Sequence, residues 1–383
     1  MDPSQPHRPS LPRRLLLSGS AATAVAAALW STGRTRPPIQ YEATPPSVGP
    51  ALRQPGIDTP QRPQLLLLAY DFTGPMGAPG AAALHTLLAD WTDTLAATPL
   101  TATLGIGPAL SGRIPLTAPT AFADLPPLPG DRLDPARSGA DLLLQLTGDQ
   151  AASLGATADR LDRRAGDLLT PRWRQAGHLP PTPPGETPRN LFGFKDGTAN
   201  PAGTDEDRWI WLPDGPCAGG TFLVYRRIAM QTDAFGALSV DRQEAVIGRR
   251  RDDGSPLGGT GEHDDPDLYA KTPDGRYVIP AAAHIRLSNP RLDGGARMLR
   301  RGYTYTDGPD DQGLLFCAFM KDPALFVRVQ QRLAAHDALT PFVEHRASAV
   351  LYVPPAAPAG APLGHALFPA AATPSVARPS TNL

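Results

Sequence analysis

Three short stretches of this chain gather the residue types that could do chemistry. The run 190–201 reads N-L-F-G-F-K-D-G-T-A-N-P and sets one carboxylate, Asp196, between Lys195 and Gly197. The run 283–291 reads A-H-I-R-L-S-N-P-R and places an imidazole, His284, among cations and before an Asn-Pro turn. The run 298–305 reads M-L-R-R-G-Y-T-Y and offers Arg300 and Arg301. A carboxylate can move a proton, a guanidinium can stabilise a developing negative charge, and a neutral imidazole can ligate a metal. Taken singly, each has a plainer explanation. Asp-Gly between apolar residues is an ordinary hairpin-turn signature, and a lone histidine or an arginine pair is commonplace at a surface.

The elements that must position these residues read as α+β. An unbroken apolar run at 64–72, bounded by Pro63 and Gly74, predicts a buried strand. Helical spacing follows at 81–96, strands at 100–106 and 141–146, and a helix at 151–169. That order is the beginning of a ferredoxin-like unit. After the 190–201 run much of it recurs, with an alternating strand at 220–230, a helix near 242–248, an apolar strand at 313–320 and a helix at 323–334. Two ferredoxin-like domains of similar plan are therefore expected, at 63–189 and 190–354.

Composition bounds the rest. Of 383 residues, 41% are hydrophobic and 19% charged, which is a globular profile, while 37 Gly and 46 Pro predict many turns. A formal net charge of −1 gives no electrostatic case for nucleic acid as a partner. Two cysteines, Cys217 and Cys317, cannot build a disulfide framework, and Cys317 in L-L-F-C-A-F reads as a buried inert thiol. Residues 1–35 carry Arg13-Arg14, then three leucines and an uncharged Ala-rich run, which resembles a twin-arginine export signal and predicts a periplasmic or otherwise exported protein. Residues 36–62 read as a Pro-rich arm, and 355–383 as a Pro- and Ala-rich tail, loosely attached.

The common hydrolase, zincin and nucleotide motifs are missing from the sequence, and Gly105-Ile106-Gly107 lacks the third glycine of a dinucleotide loop, with Leu110 in its place. The acidic run 262–267, E-H-D-D-P-D, matches no cation loop and reads as solvated charge. The aromatic residues Trp209, Trp211, Tyr303 and Tyr305 read as core and edge-strand side chains.

Set side by side, the runs N-L-F-G-F-K-D-G-T-A-N-P, H-I-R-L-S-N-P-R and M-L-R-R-G-Y-T-Y resemble the dye-decolorising (DyP-type) haem peroxidases. The closest likeness is to the exported branch that includes the deferrochelatase/peroxidase group. Q-P-G-I-D-T-P at 54–60 and V-I-G-R-R at 246–250 support it. Two departures stand out. Arg53 replaces the family's frequent histidine before Gln54, and the segment between Arg291 and Arg300 is short.

The resemblance implies one haem b per chain, held mainly by the C-terminal half, with His284 as proximal iron ligand and an unnamed anionic partner on its second nitrogen. It implies Asp196 and Arg300 as the distal pair, with Arg300 beside the carboxylate holding it ionised. Gly197, Thr198 and Ala199 would let the backbone approach the macrocycle, and Asn289, Pro290 and Arg291 would contact haem, Arg291 through a propionate. The implied activity is oxidation of organic reductants, dye-type or phenolic, by hydrogen peroxide through a ferryl intermediate. The alternative is a haem-handling role in iron acquisition, by release of iron from haem or carriage of haem. An iron-uptake partner would favour the haem-handling role and a copper-oxidase partner the peroxidase role, while a homo-oligomer fits both. A ferredoxin-like module without cofactor would require all three runs to be coincidental.

Overall fold

The computed structural model describes residues 53–369. The export signal expected at 1–35, most of the arm, and the tail beyond 369 lie outside the described residues.

The first half runs β1 (Gln64–Phe72), α1 (Gly77–Ala96), β2 (Thr101–Ile106), β3 (Leu142–Gly148), α2 (Ala151–Ala165) and β4 (Leu169–His178). A connecting segment carries the short helix α3 (Thr204–Trp209). The second half runs β5 (Thr221–Met230), α4 (Val240–Ile247), the single turn α5 (His284–Leu287), β6 (Leu299–Arg300), β7 (Tyr303–Gly308), β8 (Asp311–Met320), α6 (Ala324–His336) and β9 (Val343–Val353). Within each half the strands pair antiparallel in the same spatial order, β2-β3-β1-β4 and β7-β8-β5-β9. Two ferredoxin-like sheets are the result, as expected. Single bridges, Ile106 to Tyr352 and His178 to Thr304, join their edges, so eight strands close into a ring with β6 added on β8.

Closure explains the apolar strands. On β1, Leu65, Leu67 and Ala69 point into the ring with Leu143, Tyr225, Leu315, Cys317 and Leu351. Leu68, Tyr70 and Phe72 point out, under Leu84, Leu88 and Trp91 of α1 and Leu161 of α2. A strand covered on both faces reads as a continuous run because no face is left for polar residues. The same reason corrects the alternation expected for β5, all ten residues of which are buried. Its two arginines point to opposite faces and are paired. Arg226 meets Asp131, Ser348 and His345, while Arg227 meets Gln175, Asp307 and Asp311.

Three further corrections concern boundaries. The helix expected at 151–169 stops at Ala165, where Gly166 takes φ +52°, and Leu169 opens β4. That strand is disguised by exposed Arg172 and Arg174 and by Pro171, which sits at a bulge against Tyr70. The arm is structural from Gln54, whose buried amide bonds Leu104 and the Pro354 carbonyl at 2.8–3.1 Å, with Ile57 fully buried beside it. The tail is not loose at its start, because Leu367 is fully buried against the first half and its carbonyl accepts from Thr117 N–H at 2.7 Å. Among the described residues no helix is long and apolar enough to cross a membrane.

Candidate active site

His284 opens α5, the turn that follows Ala283. Its Nδ1 lies 2.6 Å from Oδ2 of Asp337, the residue that caps the C-terminal end of α6. The Asp337 carboxylate is buried, at 4% exposure, and its other oxygen accepts from Leu339 N–H at 2.9 Å. Ala338 N–H donates to the Ala282 carbonyl at 2.9 Å, so both loops are tied by backbone as well. A carboxylate at Nδ1 fixes the tautomer and leaves Nε2 with its lone pair. Among the described residues Nε2 has no hydrogen-bond partner, and the side chain is 31% exposed. Burial is the largest influence and opposes protonation of this imidazole, but the charge of Asp337 and its hydrogen bond together outweigh it and hold the group above its ordinary value.

Two supports hold the histidine turn in place. Gly248, at φ +94°, ends α4, and a Cβ there would meet Ile285 at 2.6 Å, so this glycine allows both the helix stop and the close approach. Arg332 on α6 donates to the Leu287 carbonyl at 2.5 Å and to Asp293 at 2.7 Å. Arg328 adds a longer contact to Asp293 at 3.4 Å, and the Asp293 carboxylate is 3% exposed. The short segment after Arg291 is therefore a 3-10 turn, Pro290–Asp293, clamped to α6.

Asp196 sits in the loop between β4 and α3. Phe192 and Phe194 are buried with Phe235 and Val246 and anchor that loop. The Asn190 carboxamide accepts from Phe192 and Phe194 N–H at 3.0 and 3.3 Å. Gly197 takes φ +102°, a conformation that side-chain-bearing residues rarely adopt, and it turns the chain immediately after Asp196. Asn200, four residues on, binds the Arg300 backbone at both polar groups and brings β6 to this loop.

The distal pair differs from expectation in one respect. Among the described residues no ion pair joins Asp196 to Arg300, whose Nε instead lies 3.3 Å from Asn200 Oδ1. The carboxamide already occupies this donor. The two charges nevertheless share a site with His284, at which Arg300 opposes and Asp196 favours the protonated ring.

The other expected residues divide. Thr198 donates to Glu262 Oε1 at 3.1 Å, and Ala199 is exposed. Asn289 is buried and caps the Pro290 turn by accepting from Arg291 N–H at 3.0 Å. Arg291 is exposed and pairs with Asp265. Arg286 bonds the Ile279 and Pro280 carbonyls and lies over Tyr277, a structural task. Trp209, Trp211, Tyr303 and Tyr305 are buried core residues, and burial pushes the Cys317 thiol up to about 12.

Four residues were not singled out from sequence. Asp337 follows a helix with no local mark, and Asn200 lies inside a quoted run without a role. Glu262, read as solvated charge, reaches back to the Asp196 loop. Arg249 is 8% exposed, and among the described residues its guanidinium donates to the backbone carbonyls of Gly254 and Glu262, at 2.7 and 2.8 Å. Burial first, and the Arg300 charge second, hold it below its ordinary value.

These features fit a haem. A buried guanidinium with no carboxylate partner among the described residues calls for an anion, and haem carries carboxylates. An imidazole oriented at Nδ1 by a carboxylate, with Nε2 accessible, is the donor that haem iron takes.

Comparison with known proteins agrees. The family model for the N-terminal part of Dyp-type peroxidases matches 54–179, and the model for the C-terminal part matches 187–358. The chain is 41% identical over 290 residues to a dye-decolorizing peroxidase of Thermobifida fusca, covering 70% of this chain and 67% of that one. It is 35% identical over 268 residues to a deferrochelatase of Yersinia pseudotuberculosis, covering 64% of this chain and 61% of that relative's length. Ferric DtpA from Streptomyces lividans superposes with a TM-score of 0.77 at 36% identity, over 84% of this chain and 96% of that one. Both halves are matched in order and nearly the whole of a solved structure is covered, so the chain belongs to the Dyp-type peroxidase family.

Proposed function

We propose a division of labour among the residues of this haem peroxidase, in which hydrogen peroxide oxidises organic reductants of dye or phenolic type. The observation that carries it is the His284–Asp337 pair, which presents an oriented Nε2 that no side chain among the described residues uses. His284 would hold the iron from one side, and Arg249 would take an acidic group of the haem. Haem bound there would store the two oxidising equivalents that peroxide delivers and pass them on one at a time.

Asp196 would take a proton from one oxygen of hydrogen peroxide and return it to the other, which leaves as water. Arg300 stabilises the negative charge that gathers on the leaving oxygen as the O–O bond breaks. Asn200 holds the Arg300 backbone against the Asp196 loop, so acid–base group and cation arrive together. Two one-electron reductants then complete the turnover, giving in total two waters and two oxidised donor radicals.

The 35% identity to a deferrochelatase supports iron release from haem as a second reading, with iron-uptake proteins as partners in place of a copper oxidase. The paired arginines before three leucines support export by the twin-arginine route.

The test is kinetic. Asp196→Ala and Arg300→Leu should retain haem and lose the reaction with peroxide, by about a hundredfold or more. Wild-type peroxide consumption in both variants would overturn the assignment. Free iron and intact porphyrin as products from wild-type protein would favour the second reading.

A further inference from the structure

Glu262 lies 66 residues beyond Asp196 in sequence, yet its side chain touches the loop on both sides of that residue. Its Oε2 accepts from Lys195 Nζ at 2.5 Å, and its Oε1 accepts from the hydroxyls of Thr187 and Thr198, the latter at 3.1 Å. Lys195 and Glu262 are only 15% and 13% exposed, so this is no solvated surface pair. Glu262 is itself fixed, because its backbone carbonyl accepts from buried Arg249 at 2.8 Å. The stem of Lys195 packs on Gly254, where an added Cβ would meet Lys195 Cδ at 2.8 Å. One carboxylate thus closes the 187–198 loop as a ring around Asp196, while the Asp196 carboxylate itself is left out of the network.

We infer that Glu262 is a positioning residue for Asp196, which holds the loop closed and keeps the neighbouring Lys195 ammonium engaged away from the Asp196 carboxylate. The inference rests on the acid–base role given to Asp196 above. Physically, a lysine adjacent in sequence to a general base is a competitor for it, since an ion pair would tie up the carboxylate and make it a weaker base. Glu262 removes that competitor. Although burial opposes it, the bonds from Lys195, Thr187 and Thr198 hold Glu262 below the usual carboxylate range and therefore ionised. The other charges around the turn include Arg300, held by Asn200, Arg249, bonded to the Glu262 backbone, Arg189, which donates to the Gly193 carbonyl, Arg251 against Gly193, and His284 with its partner Asp337. None of these replaces Glu262 as an anion for Lys195.

The experiment compares Glu262→Gln, the double variant Glu262→Gln with Lys195→Met, and Asp196→Ala, all as haem-loaded protein. Glu262→Gln should lower kcat/KM for peroxide by about tenfold to a hundredfold, since small misplacement of a reacting group has effects of that order. It should also move the acid limb of the pH profile to lower pH, because the freed ammonium now favours ionised Asp196. The double variant should return the limb to its wild-type position, with kcat/KM still reduced. Hydrogen exchange in 187–200 should be faster in both Glu262 variants and unchanged in the barrel strands. A wild-type rate and limb in Glu262→Gln, while Asp196→Ala is inactive, would overturn this inference alone. Lost activity with an unmoved limb would also overturn it, because that is what a purely structural role gives. Full peroxide reactivity in Asp196→Ala would instead remove the reading on which it rests.

Discussion

Asn200 and Arg300 form a two-point backbone clamp across 100 residues of sequence, with Asn200 Nδ2 donating to the Arg300 carbonyl at 2.8 Å and Asn200 Oδ1 accepting from the Arg300 N–H at 3.0 Å. The same oxygen lies 3.3 Å from the Arg300 Nε, so one carboxamide sets both the height of β6 and the start of the guanidinium. Asn200→Ala leaves a half-buried N–H and C=O without partners, which costs about 1–3 kcal/mol. The expected outcome is unchanged haem content and a peroxide reaction slower by about tenfold to a hundredfold, read by rapid-mixing absorbance. A wild-type rate would show that Arg300 needs no such clamp.

Asp337 should govern how tightly haem is held. Asp337→Ala removes the Nδ1 acceptor and the cap on Leu339 together, and losses of this kind at a metal-ligating histidine amount to about 10–100-fold in affinity. Asp337→Asn should fall between, since its amide oxygen can still cap Leu339. The rate of haem loss to an excess of scavenging apoprotein measures both.

The clamp from α6 should appear as stability. Arg332→Met removes the bonds to Leu287 and Asp293 and leaves a buried carboxylate with, among the described residues, the longer Arg328 contact. The expected destabilisation is about 1–3 kcal/mol in urea unfolding. Arg328→Met, which removes a half-exposed partner at 3.4 Å, should cost clearly less.

His345 gives a pH dependence. Burial first, and the Arg226 charge second, lower its pKa to about 3. Arg226 donates to Nδ1 at 3.2 Å, so the folded ring is neutral with its proton on Nε2, and Gln330 must turn its oxygen towards it. An unfolded histidine titrates near ~6.5, so below that pH the unfolded chain binds a proton that the folded chain refuses. This contribution to stability is complete above that pH and is lost on acidification, by up to about 1.4 kcal/mol per pH unit. Unfolding at pH 7.5 and pH 5 should therefore differ more for wild type than for His345→Gln.

Much of the architecture was legible because burial on both ring faces leaves unbroken apolar runs, as at β1 and β8. Strands β4, β7 and β9 were not, since their exposed or half-buried arginines, threonines and glutamate hide the apolar alternation. At the candidate site, His284, Asp196 and Arg300 stand in runs that no composition explains. Their partners were not legible. Asp337, Glu262 and Asn200 act across 53 to 100 residues, and contacts at that separation leave no periodicity in the sequence. Arg291, which the resemblance gave to a haem propionate, pairs in the folded chain with Asp265 on the surface, a partner that no sequence pattern marks.

The central claim is that His284, oriented by Asp337, carries the haem iron. Its most direct test is the visible spectrum of haem-loaded wild type and His284→Ala before and after one equivalent of hydrogen peroxide. The account predicts a Soret band in wild type that changes on adding peroxide, and loss of both the band and the response in His284→Ala. An unaltered Soret band and peroxide response in His284→Ala would contradict it.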